Sequence, residues 1–220
     1  MSNQYDADIV ALYDRSFTEL PLRRYVELPS VYQILGDVTG LSILDLACGT
    51  GYYAKELRRR GAARVVGVDL SEAMIEATRA QEEKEPLGVE YVHGDAGAME
   101  RFGDFDIVTG IHLLHYATSF EHLNGMCRSI SRNLKPAGRF IGYQLNGDIA
   151  RKPHYYDKYG FNVRISEHAG DGQPFVFSVT LGDYTSPDIT AYYWSKESLK
   201  SALRAAALTE MQWVVPSPSP

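Results

Sequence analysis

The chain is short of cysteine: Cys48 and Cys127 are the only two among 220 residues. They stand in unrelated contexts, so their spacing offers neither a disulfide framework nor a metal site, and no metal is expected. No apolar run approaches the roughly 20 residues of a membrane-spanning helix. The opening MSNQYDADIV has neither the basic n-region nor the apolar h-region of a secretory leader. A cytoplasmic chain without a membrane partner is expected. Positive charge is also scarce, with 22 Lys and Arg against 28 Asp and Glu and a net charge of −6. A nucleic-acid binder normally presents a basic face. Here the longest basic run, Arg58-Arg59-Arg60, ends a helical segment before Gly61 and complements its dipole. No nucleic-acid partner is expected, and no internal repeat is visible.

What remains reads as one domain over residues 1–220. Ile9, Tyr13, Phe17 and Leu20 recur at helical spacing, and a second helical segment follows Pro21, so residues 1–38 form a helical lid. Over residues 39–146, short apolar runs alternate with helical segments: LSILDLA, ARVVGVDLS, VEYVHGDA, FDIVTGIHLL and RFIGYQL are the strands. Ser71 is placed to cap the helix that follows the second strand. This rhythm predicts an α/β fold: a Rossmann-like, doubly wound, mostly parallel sheet with right-handed crossovers. Ligands of such sheets bind outside the carboxyl ends of the strands. Residues 146–174 read as loop. FVFSVTL (175–181) and DITAYYW (188–194) then form an antiparallel pair, so 147–194 is an antiparallel insertion near the C-terminus. Residues 195–215 give a last helix and a last strand, EMQWVV.

Residues 43–53, ILDLACGTGYY, are the most informative stretch. Gly49-Thr50-Gly51-Tyr52-Tyr53-Ala54 fits the G-x-G-x-x-G/A dinucleotide pattern, and Asp69 follows 18 residues past Gly51, where a ribose-binding acid belongs. A nicotinamide-dependent oxidoreductase is therefore one reading. Asp45 opposes it, because a carboxylate beside a pyrophosphate repels it by about 4 kcal/mol at ~4 Å and an effective dielectric of ~20. A sulfonium cofactor with an ammonium tolerates that acid. Asp95, after the third strand, is placed to accept from an adenine amino group.

In order, ILDLACGTGYYAKEL, VVGVDLSEAMIEAT, VEYVHGDA, FDIVTGIHLLHY and ISRNLKPAGRFIGY resemble the motifs of class I S-adenosylmethionine-dependent methyltransferases. The resemblance implies a seven-stranded sheet with the last strand antiparallel, and S-adenosylmethionine as cofactor, leaving as S-adenosylhomocysteine. Asp45, Ala47, Cys48, Gly49, Thr50 and Gly51 would form the loop under the methionine moiety. Asp69 would bind the ribose, Leu70 and Met74 would pack on adenine, and Asp95 and Ala96 would border its amino edge. Gly110 and Ile111 would line the methionine side, together with His112. Tyr13 would cover the cofactor from the lid. Arg23 or Arg24 is placed to pair with the cofactor carboxylate. Ala47 stands where the family often has Gly, and is tolerable there at negative φ. No clear seventh strand follows EMQWVV.

The flanks YDADIVALYDRSF, LRRYVE, LLHYA, YYDKYGF and AYYW are similar to small-molecule methyltransferases, among them the toxoflavin-type azapteridine N-methyltransferases of natural-product biosynthesis. The resemblance thus implies a small planar heteroaromatic acceptor, with N-methylation favoured. Methyl transfer is an in-line displacement at carbon in which positioning contributes roughly 7–11 kcal/mol. The 15 tyrosines suit an aromatic acceptor pocket. Tyr5, Tyr116, Tyr143, Tyr155 and Trp194, with His115, are the candidate acceptor contacts. His115, His112 and Tyr13 are the candidate catalytic residues, the histidines as bases. An acidic heteroaromatic N–H needs no base at all. The expected partner is the small-molecule acceptor, and the expected state a monomer or weak homodimer. Besides the oxidoreductase, a catalytically silent module that kept the cofactor fold stands as an alternative.

Overall fold

The computed structural model describes residues 7–145 and 147–217. Its centre is a sheet of five parallel strands: β1 (Ser42–Leu46), β2 (Arg64–Asp69), β3 (Val89–His93), β4 (Phe105–Ile111) and β5 (Leu134–Tyr143), ordered β3-β2-β1-β4-β5. Successive strand residues point to opposite faces. Ile43, Val65 and Ile107 therefore enter one core, and Leu44, Val66 and Val108 the other. The first core is covered by α2 (Leu28–Leu35) and α3 (Tyr52–Arg59), with Ile75 from α4 (Glu72–Lys84). The second is covered by α5 (Phe120–Asn133) and α6 (Lys196–Ala205). The fold is the expected doubly wound α/β architecture, and the strand order reverses between β1 and β4.

Helix starts follow local chemistry. The Ser71 side chain accepts from Met74 N at 3.3 Å at the head of α4, and Ser195 accepts from Ser198 N at 3.2 Å at the head of α6. The N-terminal region is α1 (Ala7–Glu19), then a π-helical turn at Arg23–Glu27, then α2. Pro29 in the first turn of α2 has no N–H to return to Tyr25. The chain takes a wider turn there, in which Leu28 N bonds Arg23 O.

The antiparallel insertion forms its own sheet. β7 (Pro174–Leu181) pairs with β6 (Phe161–Arg164), with β9 (Ile189–Tyr192) and with the two-residue β8 (Tyr184–Thr185). β6 lies in the segment expected to be loop. Its four residues, FNVR, are too few to alternate legibly. The expected last strand is not formed: residues 210–215 have no strand partner, and Val215 is 86% exposed. β-propensity without an edge to pair with does not make a strand. Instead Trp213 lies under Lys196 Nζ, 4.9 Å from the ring centroid, and Ser217 N and O meet Ser30 Oγ at 3.3 Å. Among the described residues the central sheet has five strands rather than seven. β5 keeps an outer edge on which Pro136, Ala137 and Arg139 are exposed. The Arg139 guanidinium caps the end of α2, donating to Ile34 O at 3.1 Å.

β1 ends in a buried acid. Asp45 is 1% exposed, pairs in register with Thr109 of β4, and accepts its hydroxyl at 2.7 Å on Oδ1. Oδ2 has no partner. Burial, reinforced by the nearby Asp69, pushes the Asp45 carboxyl up to about 7.

Three substitutions test this packing. Because the folded state holds the Asp45 proton up to about pH 7, the acid's contribution to stability is full below about pH 4 and falls as pH rises towards 7. The loss approaches about 1.4 kcal/mol per pH unit across that window. Asp45→Asn should gain on the native protein by that slope in urea titrations between pH 5 and 7, and a constant difference would mean Asp45 is ionised throughout. Leu44→Ala should lose about 2–5 kcal/mol, whereas Trp213→Ala should change stability by no more than about 0.5 kcal/mol.

Candidate active site

The loop after β1 doubles back through three left-handed residues: Ala47 (φ 59°), Gly49 (φ 54°) and Gly51 (φ 72°). Ala47 was expected at negative φ and is not. The left-handed conformation costs a non-glycine residue roughly 1–2 kcal/mol. Bonds on either side hold it: Cys48 N donates to Val68 O at 3.0 Å, and Gly49 N donates to Asp69 Oδ2 at 2.8 Å. The second Asp69 oxygen accepts Ser71 N at 2.8 Å. One carboxylate thus ties the glycine loop to the head of α4. Burial raises the Asp69 carboxyl, with the Ser71 and Gly49 amides opposing that shift.

A cleft of about 1980 Å³ opens at the carboxyl ends of the strands. Ala47, Gly49, Asp69, Leu70, Met74, Asp95, Ala96 and Ile111 line it, with Tyr13 and Arg23 from the N-terminal helices. Leu70 is 49% exposed and Met74 is buried behind it. Asp45, Cys48, Thr50, Gly51 and Gly110 do not reach this lining. Asp45 is held on Thr109, and Thr50 Oγ1 donates to Asp14 Oδ1 of α1 at 2.9 Å. Burial raises the Cys48 thiol well above its ordinary range, so it stays protonated. Gly49 is needed for close approach: a Cβ there would stand 2.7 Å from Tyr13 Cε1. Gly51 is equally confined, by the Tyr91 hydroxyl.

Towards the insertion the cleft meets His112, His115, Tyr116 and Tyr143, then Tyr156, Phe161, Phe177 and Tyr192. Two expected acceptor contacts lie elsewhere. Trp194 is core, its Nε1 donating to Ala117 O at 3.1 Å. Tyr155 is exposed and packs edge-on against Tyr156. Tyr5 lies outside the described residues.

Sequence reasoning missed two partners. The first is Glu27, buried beneath the cleft, which accepts the Tyr53 hydroxyl at 2.9 Å and meets His112 Nε2 at 2.9 Å, with Arg23 Nε at 3.8 Å. Burial raises its carboxyl, but His112 and Arg23 outweigh that and hold it at about 2. The Arg23–Glu27 spacing of four was the one available signal. The second is His122 of α5, whose Nε2 meets Asp95 Oδ1 at 3.1 Å, while Asp95 Oδ1 also accepts Gly97 N at 2.7 Å. Nothing in the sequence ties α5 to the third strand.

Arg23 stacks over Tyr13 and Phe17, 4.4 and 4.3 Å from the ring centroids, and its Nη1 is buried without a partner. A cleft with acids at Asp69 and Asp95 and one unspent guanidinium nitrogen suits a ligand that carries cationic groups and a single carboxylate. The repulsion of a pyrophosphate expected from Asp45 is not found at the cleft, because Asp45 is buried on Thr109 and does not line it.

Residues 43–138 match the methyltransferase domain family. A demethylmenaquinone methyltransferase of Lactococcus lactis is 30% identical over 184 residues, 80% of this chain and 66% of that protein. A ubiquinone biosynthesis O-methyltransferase of Rhodopseudomonas palustris is 31% identical over 151 residues, 61% of this chain and 58% of that protein. The chain thus spans somewhat under two thirds of the length of these curated relatives. In fold it resembles an S-adenosylmethionine-dependent methyltransferase from Clostridium acetobutylicum, with a TM-score of 0.65 at 16% identity, covering 90% of this chain and 86% of that one. Residues 43–138 thus carry a match to a methyltransferase domain, on a fold shared with S-adenosylmethionine-dependent methyltransferases.

Proposed function

We propose that the chain methylates a small planar acceptor held between the strand ends and the antiparallel insertion. The observation that carries this reading is continuity. Gly49, Asp69 and Asp95 line the same cleft as His112, His115, Tyr143 and Phe177, so a cofactor and a flat apolar acceptor share one enclosure. The residues fit the cofactor. The unpartnered Arg23 Nη1 would take its carboxylate, the Gly49 turn beneath Tyr13 would border its methionine moiety, and Asp69 would accept its ribose hydroxyls. Asp95 would border the adenine amino group. When bound, the cofactor supplies an activated methyl group.

The protein's own contribution is enclosure and orientation. Tyr13 and Phe17 with Arg23 close the lid side, and the aromatic faces of Tyr143 and Phe177 favour a flat ring and the positive charge that spreads onto it. Among acceptors, the flanking motifs favour N-methylation of an azapteridine of the toxoflavin kind, made in natural-product biosynthesis. A quinone-type ring is the second reading, supported by relatives named for demethylmenaquinone and ubiquinone methylation. A nicotinamide enzyme is disfavoured by the methyltransferase-domain match and the shared fold. A silent module differs only in turnover.

Calorimetric titration should show binding of S-adenosylhomocysteine and none of NADH; the reverse would return the chain to the oxidoreductases. Asp69→Ala should weaken S-adenosylhomocysteine by about 1.5–3 kcal/mol, the worth of hydrogen bonds to a charged group. Unchanged affinity would remove the ribose assignment. Turnover with flat N-heterocycles or hydroxyquinones is expected, and turnover of aliphatic amines alone would sink the planar acceptor.

A further inference from the structure

Glu27 ends the π-helical turn and is 2% exposed. Its Oε1 accepts the Tyr53 hydroxyl and its Oε2 faces His112 Nε2, each at 2.9 Å. An ionised carboxylate can only accept, so the hydrogen in the second bond belongs to Nε2. In a neutral imidazole the lone pair then sits on Nδ1. The His112 ring borders the cleft with 22% of its side chain exposed. It meets His115 and Tyr143 edge-on at 5.6 and 5.4 Å. Its backbone is left-handed, φ 61°, and its N–H donates to Tyr143 O at 2.6 Å. A non-glycine residue persists in that conformation only where its surroundings over-determine it. Here the Glu27 and Tyr143 bonds do so from opposite sides.

We propose that Glu27 is a positioning residue that fixes His112 as the Nε2–H tautomer, so that Nδ1 takes the proton of the methyl acceptor. The inference rests on the methyl-transfer reading above and deepens it, because the acceptor must then arrive with an N–H or O–H. The acceptor's electron pair forms the new bond to the methyl carbon. The carbon–sulfur bond breaks with its pair on sulfur, leaving a thioether, and the acceptor's proton passes to Nδ1. The imidazolium so formed is balanced by Glu27. The other charged and titratable groups around the pair are Arg23 of the π-turn, Tyr13 of α1, Tyr53 of α3, His115 and Tyr143. His115 does not compete for this role. Burial, and then the neighbouring His112, holds its imidazole well below the usual range, so it accepts a proton poorly. Its Nδ1 is buried without a partner.

The test is ¹⁵N NMR of the full chain labelled at histidine, without ligand and at alkaline pH. His112 should show a protonated Nε2 and a bare Nδ1. Glu27→Asp keeps the charge opposite Arg23 but withdraws it from His112, and should give mixed tautomers. In the same variant S-adenosylhomocysteine affinity should hold within about twofold, while kcat for an N–H or O–H acceptor falls about tenfold or more at little-changed KM. An Nδ1–H tautomer in the native protein, or a Glu27→Asp variant with native tautomer and kcat, overturns the inference. Absence of turnover by native protein whose tautomer is as expected overturns the methyl-transfer reading and the proton-accepting role together.

Discussion

Burying a negative charge is expensive unless it is paired and hydrogen-bonded, and Glu27 meets that condition only through partners from three separate segments. Arg23 comes from its own turn, Tyr53 from α3, and His112 from the residues after β4. The N-terminal helices, the glycine-loop helix and the acceptor end of the sheet are thereby held at one point. Removing one member of such a cluster typically costs about 3–5 kcal/mol, because the remaining charge is stranded. The π-helical turn belongs to this arrangement. It carries Arg23 and Glu27 a full wide turn apart, and both side chains are buried towards the cleft.

The acids at the ends of β1 and β2 divide their work differently from a simple reading of the motif. Asp45, nearest the glycines in sequence, is sealed against Thr109 and does not line the cleft. Asp69, a strand away, is the one that bonds the glycine loop, through Gly49, while remaining at the cleft surface. The carboxylate that sets the loop geometry thus also faces the cleft. The acid that looked like the electrostatic filter is instead a buried member of the core, its carboxyl pushed up to about 7.

The central sheet was legible because its strands are short apolar runs and because helical spacing filled the gaps between them, except between β3 and β4, which a non-helical segment joins. The cleft's cofactor side was legible for the same reason: its residues sit at strand ends, which topology brings together. What escaped depended on contacts between remote segments. Glu27 and His122 find their partners only after α2 and α5 have packed. Trp194 reads as an aromatic near the acceptor but is drawn into the core by the Ala117 carbonyl and α6. EMQWVV has the composition of a strand and no edge to join. The wide turn before Pro29 follows from a missing donor, which apolar periodicity does not register.

The outer margin of β5 has a consequence for how copies of this chain meet. A bare strand edge is a template for another strand, and the hazard grows with length and regularity. This one places Pro136, which donates nothing, beside Ala137 in a left-handed conformation, and its exposed Arg139 already serves the carbonyls of α2. An incoming strand would find its hydrogen-bond ladder interrupted within the first few residues and a guanidinium to displace. The margin is thus poorly suited to sheet-to-sheet association, and the open side of the fold carries its own guard against aggregation.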